Sequence, residues 1–300
     1  MIDYNPKEWF SFIFRFHKAD TLRKLAPLIL SVCVYTAGVV VLEKEILQLS
    51  DTNSLKNIPV MHSILGLVIS LLLVFRTNTA YDRWWEGRRQ WGSLVNNSRN
   101  LALKMQSILR HQHPNNANFY KTLIPAFASS LRHHLRNSPT DLKDLEPFGI
   151  TKNTDKPHYP NLIAFHLMDR TYNLNQKGFI SGDQLITLNA ELQSLSDICG
   201  ACERIKNTPI PFSYSVFLKK FIFFYVMTLP FGFVFTVGYW TIPVVAFILY
   251  VLASLELIAE EIEDPFGSDA NDIPTDQLAD TIEKNVKEIF ESFMSTEKPA

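Results

Sequence analysis

Three stretches of this chain interrupt an otherwise even mixture of polar and apolar residues. Leu25 to Leu42 carries no charge, and neither does Ile58 to Phe75, where only His62 can take up a proton. Each run is about 18 residues, near the lower end of the roughly 17–25 that a helix needs to cross a bilayer core. A helix buried in a water-soluble protein keeps a polar face at a period of 3.6 residues. The string VISLLLVF, Val68 to Phe75, has almost none. Phe221 to Leu255 stays uncharged for about 35 residues, long enough for two crossings. Pro230, Gly232, Gly238 and Pro243 fall in its middle, next to Tyr239 and Trp240, residue types suited to a membrane interface. This block reads as a helical hairpin, which makes four crossings in all.

The polar remainder is helical by pattern. WGSLVNNSRNLALKMQSILRH and NFYKTLIPAFASSLRHHL place apolar residues at steps of three and four. Asn161 to Arg170, Ser181 to Lys206 and Thr275 to Phe293 read the same way, while Asn137 to Pro160 is a loop rich in Pro, Asn and Asp. No segment alternates at a period of two. The predicted organisation is an N-terminal segment 1–24, two spans in 25–75 around a loop at 43–57, a helical region 76–220, a membrane hairpin 221–255 and an acidic stretch with a tail at 256–300.

Charge adds an orientation. Lys18, Arg23 and Lys24 precede the first span, Arg76, Arg83, Arg88 and Arg89 follow the second, and Lys219 and Lys220 precede the third block. The loop 43–57 offers Lys44 and Lys56 against Glu43, Glu45 and Asp51. Basic residues accumulate on the cytoplasmic side, so both termini and the region 76–220 are expected there, in a multi-pass protein of the cell membrane. A net charge of −1 argues against nucleic acid as a partner.

Three strings sit at the expected membrane boundaries: FRTNTAYDRWWEGRRQWG from Phe75, CERIKNTPIPFSY from Cys202, and IAEEIEDPFGSDANDIP from Ile258. Together, and in this order along nearly the whole chain, they resemble the bestrophin family, including its bacterial members. The resemblance implies an all-α, pentameric ion channel with its pore on the five-fold axis, passing anions such as chloride in most members and cations in some bacterial ones.

Leu67, Leu71 and Phe75 lie at i, i+4 and i+8, on one stripe of the second span. The residues alone are read most simply as lipid-facing or packing side chains. The resemblance makes them the pore neck, three apolar rings that gate by dewetting. It likewise makes Ile210, bracketed by Pro209 and Pro211, a second constriction, the cytosolic aperture; alone, the two prolines read as a helix start. Glu256, Glu260, Glu261, Glu263, Asp264, Asp269 and Asp272 form an acidic stretch without a basic residue. By resemblance Asp264, Asp269 and Asp272 match the ligands of a calcium clasp, although SDAND after Gly267 breaks the family's acidic run and Asp264 replaces its usual Asn. The glutamates are equally suited to pairing with arginines.

Other strings invite chemistry and fall short of it. RWWEGRR, Arg83 to Arg89, reads as an interfacial anchor, not a phosphate patch. Cys199 and Cys202 make a C-x-x-C with no second ligand pair nearby and no βαβ context, so packing is the expectation. His111, His113, His133 and His134 meet a metal only if two helices bring them together. The reading is therefore an all-α pore-forming subunit of a homopentamer in the lipid bilayer, acting on inorganic ions, anions before cations, with no catalytic residues and no cofactor apart from calcium at the acidic stretch. Its rivals are a cation channel of the same fold, a metal-dependent membrane enzyme and a non-conducting scaffold.

Overall fold

The computed structural model describes residues 21–49, 57–109, 114–140, 143, 145–151 and 157–292. Among the described residues there is no strand. Nine α-helices follow in order within the described residues: α1 (Thr21–Val41), α2 (Ile58–Leu109), α3 (Pro114–Leu135), α4 (Tyr159–Gln176), α5 (Gly182–Asn207), α6 (Phe212–Thr228), α7 (Pro230–Val237), α8 (Thr241–Glu263) and α9 (Thr275–Ser292). A π-helical turn, Leu42–Ile46, extends α1, and 3₁₀ turns cover Glu146–Phe148 and Gly238–Trp240. Most of the N-terminal segment, part of the loop 43–57, His111 and His113 lie outside the described residues.

Among the described residues three stretches are long and apolar enough to cross a membrane, Thr21–Ile46, Ile58–Leu109 and Phe212–Glu263. This corrects the count of four, because both arms of the expected hairpin belong to the third stretch. That stretch is nonetheless broken. Leu229 and Pro230 part α6 from α7, and Gly238 takes φ +60, a conformation costly for any residue with a Cβ. Beyond that turn α8 runs back against both α6 and α7. The second stretch differs more from expectation. α2 continues through Arg76 and the tryptophans to Leu109, 52 residues without a break. Its one proline, Pro59, is at the second helical position, where a missing N–H costs nothing.

The chain forms two compact units. The first holds α1, α2 as far as Trp84, Pro209–Asp264 and Asp269–Asp272. Its apolar core cluster brings together Val32 of α1, Ile69 and Leu73 of α2, Leu218, Ile222 and Val226 of α6, and Val245 and Leu249 of α8. Gly232 lets α7 approach the start of α2, since a Cβ there would stand 2.6 Å from Pro59 Cδ. At the far end of α1, Tyr239 Oη donates to Glu45 Oε1 at 2.7 Å and Lys44 lies 5.5 Å from the Tyr239 ring centroid.

The second unit holds Trp85–Thr208, Pro265–Ser268 and the chain from Ile273 through α9. α3 packs on α9, α4 and α5, and α4 packs on α5. Trp91, Leu94, Leu101 and Met105 of α2 are fully buried, as are Leu123, Ile124 and Phe127 of α3. One buried polar link, Tyr120 Oη with Thr171 Oγ1 at 2.9 Å, joins α3 to α4. α5 starts on a reciprocal cap in which Ser181 and Gln184 satisfy each other's backbone N–H.

Candidate pore and ion-binding residues

The membrane half of α2 has two unlike faces. His62, Ile69, Leu73, Arg76 and Ala80 are buried. Leu67, Leu71 and Phe75 stand 74%, 55% and 57% exposed. One side of the helix is therefore held by α6 and α8, and the other leaves large apolar side chains uncovered. Val68 belongs with the uncovered side, and Leu72 is half-buried, so Ile69 and Leu73 are the residues that face away from the candidate neck.

Directly after Phe75 the chain becomes charged, and the charge is buried. Arg76 is 2% exposed. Its Nη2 donates to Glu263 Oε2 at 2.7 Å, and its Nε lies 3.4 Å from Glu256 Oε2. Glu263 Oε1 accepts the backbone N–H of Ile210 at 2.6 Å, and Arg83 Nε donates to the Glu263 carbonyl at 3.1 Å. One carboxylate thus connects the residue after the candidate neck to the backbone of the candidate aperture. Ile210 itself is half-buried, in the turn that enters α6. Neither Arg76 nor Glu263 stood out in the sequence as more than part of a charged cluster. Arg76 follows Leu73 by three and shares its face, but only the packing shows that this face is the buried one.

The other glutamates of the acidic stretch are paired as well. Lys219 Nζ donates to Glu260 Oε2 at 2.9 Å, and Lys24 pairs with Glu261. Glu261 Oε2 accepts Asn271 Nδ2–H at 2.7 Å, and the Asn271 carbonyl accepts Trp84 Nε1–H at 3.0 Å. Arg83 and Trp84 therefore hold the acidic stretch in place, and Trp85 is exposed.

Asp264 and Asp269 are exposed, whereas Asp272 is buried. Asp269 and Asp272 close on each other: the Asp269 N–H donates to Asp272 Oδ2 at 2.6 Å, and the Asp272 N–H donates to the Asp269 carbonyl at 3.2 Å. Asp272 Oδ1 is buried without a hydrogen-bond partner. Burial pushes the Asp272 carboxyl up to about 6, and the nearby charges of Asp269, Asp264 and Glu261 push the same way. A carboxylate in that position is short of positive charge. The three aspartates do not converge tightly, however. Among the described residues the one set of three His, Cys, Asp or Glu ligand atoms within 4.8 Å of one another lies elsewhere, in the second unit.

The C-x-x-C is buried on α5. Burial pushes the Cys199 thiol up to about 12 and the Cys202 thiol higher still, with the charge of Glu203 adding to both. The thiolate is the form that binds metals and attacks disulfides, so neither cysteine is prepared for that chemistry. His133 is engaged by its neighbours, Nε2 with Arg132 Nη2 and Nδ1 with Ser138 Oγ, each at 2.9 Å.

An all-helical chain with membrane-length apolar helices and a buried ion-pair cluster where they turn polar is a membrane protein. Residues 1–288 match the family of bacterial and fungal bestrophin proteins. The chain is similar to a voltage-dependent anion channel-forming protein of Nostoc, 38% identical over 77% of this chain and 79% of that one. It is similar to another of that description from Synechocystis, 33% identical over 96% of this chain and 93% of that one. A crystal structure of a bacterial bestrophin homolog from Klebsiella pneumoniae, carrying one substitution, superposes with a TM-score of 0.79 at 28% identity, over 89% of this chain and 99% of that one. The chain belongs to the bestrophin family.

Proposed function

We propose that this chain is the pore-forming subunit of a homopentameric channel that passes anions such as chloride. The observation that carries the reading is the uncovered apolar stripe Leu67, Leu71 and Phe75 on a helix whose other face is packed. Five copies around an axis stack these side chains into three rings. Such rings hold no water readily and close a pore without blocking it sterically. Ile210 forms a second ring, held by the backbone link to Glu263. Anions are chosen because the relatives from Nostoc and Synechocystis are described as anion channel-forming. Purified protein in a planar bilayer with asymmetric KCl should give single-channel current whose reversal potential lies towards the chloride equilibrium value. Reversal towards potassium selects the cation channel of the same fold, and silence in every salt removes the channel reading.

Both termini are assigned to the cytoplasm from the Lys and Arg bias, with the third apolar stretch returning to the side it entered. A cysteine at Gln48 should then react with an impermeant thiol reagent applied outside intact cells, and one at Ser138 should not. The opposite pattern inverts the protein in the membrane.

Calcium is proposed for the acidic loop, held by Asp264, Asp269 and Asp272 with backbone carbonyls and water completing the 6–8 oxygen ligands it takes. The buried, unpartnered Asp272 Oδ1 supports this reading. When bound, the ion supplies positive charge that lets Asp272 ionise. Calcium should raise the melting temperature of the parent protein, and Asp269→Ala with Asp272→Ala should abolish that rise. A parent indifferent to calcium against chelator ends the proposal.

A further inference from the structure

We propose that His134, His158 and Glu203 form a binding site for a zinc-like transition-metal dication in the second unit, one per chain. The three residues come from separate helix ends: His134 from the last turn of α3, His158 from the residue that caps α4, and Glu203 from the last turns of α5. They are far apart in sequence, by 69 residues between His134 and Glu203 and 45 between His158 and Glu203. Yet Nε2 of each imidazole lies 2.7 Å from the same atom, Glu203 Oε1, and the rings are 4.4 Å apart between centroids. All three ligand atoms fall within 4.8 Å of one another. A tetrahedral zinc with bonds of about 2.0–2.1 Å separates its ligand atoms by about 3.3 Å. Placing an ion among these three therefore needs shifts of an ångström or less.

The chemistry selects the ion. Two imidazoles and one carboxylate suit zinc and its neighbours in the transition series, not calcium or magnesium, which take oxygen. The side chains are about a third exposed, 32% for each histidine and 30% for Glu203, so an ion has a path in and water can fill a fourth position.

The simpler reading is a carboxylate that accepts two N–H groups and nothing more. It describes the metal-free state well. His158 Nδ1 accepts the Asn161 N–H at 3.1 Å, which puts the ring's proton on Nε2, facing Glu203. Metal loading needs the Nε2 lone pair, so the proton moves to Nδ1 and that cap bond is given up. The Asn161 N–H is at an exposed residue, where water replaces the lost acceptor. Lys206 of α5 is turned to the His134 carbonyl at 3.3 Å and to Asn137 Oδ1 at 2.9 Å. Cys199 and Cys202 are not among the ligand atoms gathered there. A bound ion would fasten the ends of α3, α4 and α5 together and stabilise the fold by mass action.

The test uses the full-length protein, stripped with chelator and titrated with zinc chloride. One zinc per chain is expected, with a dissociation constant in the micromolar range or tighter and no competition from a large excess of magnesium. His158→Asn removes the ligand yet keeps a good helix cap. It should melt like the parent without metal and lose the zinc-dependent rise in melting temperature. Glu203→Gln should weaken binding by about tenfold or more. Cys199→Ala with Cys202→Ala should leave binding intact. The zinc K-edge absorption spectrum of the loaded parent should contain imidazole nitrogen and oxygen near 2.0–2.1 Å and no sulfur shell. No zinc above background, a sulfur shell, or full occupancy in both His158→Asn and Glu203→Gln each overturns the site.

Discussion

Replacing Leu67, Leu71 and Phe75 together by alanine should leave the pore open without a stimulus. The three side chains stand uncovered on α2's free face. In a pentamer each truncation acts five times around a ring, so the tube widens and its apolar lining thins at three levels. Dewetting depends on both radius and surface polarity. A gain of only about 1.4 kcal/mol in the free energy of wetting raises the ratio of open to closed channels tenfold. Ion sign should hardly change, because no charge is removed. Subunit stability should change little as well, since substitutions at exposed positions usually stay within about 0.5 kcal/mol.

The control follows from the packing, not from helical spacing. Ile69→Ala and Leu73→Ala, on the buried face of the same turns, should each cost about 2–5 kcal/mol of stability through the cavities they leave. Their effect should be read as lower yield and a lower melting temperature, with gating in the surviving channels close to that of the parent. If instead the triple variant gates like the parent and the Ile69 or Leu73 variants leak, the pore runs along the other face of α2.

Arg76→Gln should be the most damaging single substitution. Arg76 is the cation between Glu256 and Glu263, buried with them. Removing one partner of a buried ion pair leaves an uncompensated charge and costs about 3–5 kcal/mol. Glu263 also holds the Ile210 N–H, so the turn before α6 loses a fixed neighbour along with the helix. Assembly on a sizing column and thermal unfolding would register the loss. The double variant Arg76→Gln with Glu256→Gln should fall short of the sum of its two single effects, because residues in one network do not add. Simple additivity would mean that the charges do not act as a unit. A wild-type melting temperature for Arg76→Gln would remove the cluster from the list of stabilising features altogether.

The apolar runs alone committed the chain to a membrane. Eighteen or so uncharged residues in a row cannot be sheltered by a protein of this size except by lipid or by a deep core, and their composition is independent of how the helices pack. Helical periodicity likewise located α3, α4, α5 and α9, because a half-solvated helix needs a polar side and writes it into the sequence. The same logic fails where a helix is apolar all round. VISLLLVF has no polar side, so spacing cannot say that Ile69 and Leu73 face inward while Val68 does not. It also gave no sign that α2 runs unbroken past Arg76, since a change from apolar to charged composition is compatible with one continuous helix. Arg76 is 187 residues from Glu263, and His134 is 69 from Glu203. The sequence supplied these groups singly, each with many possible partners. Pairing of buried charges and convergence of imidazoles on a carboxylate depend on distances of a few ångströms between separate helices, and only the tertiary packing sets those distances.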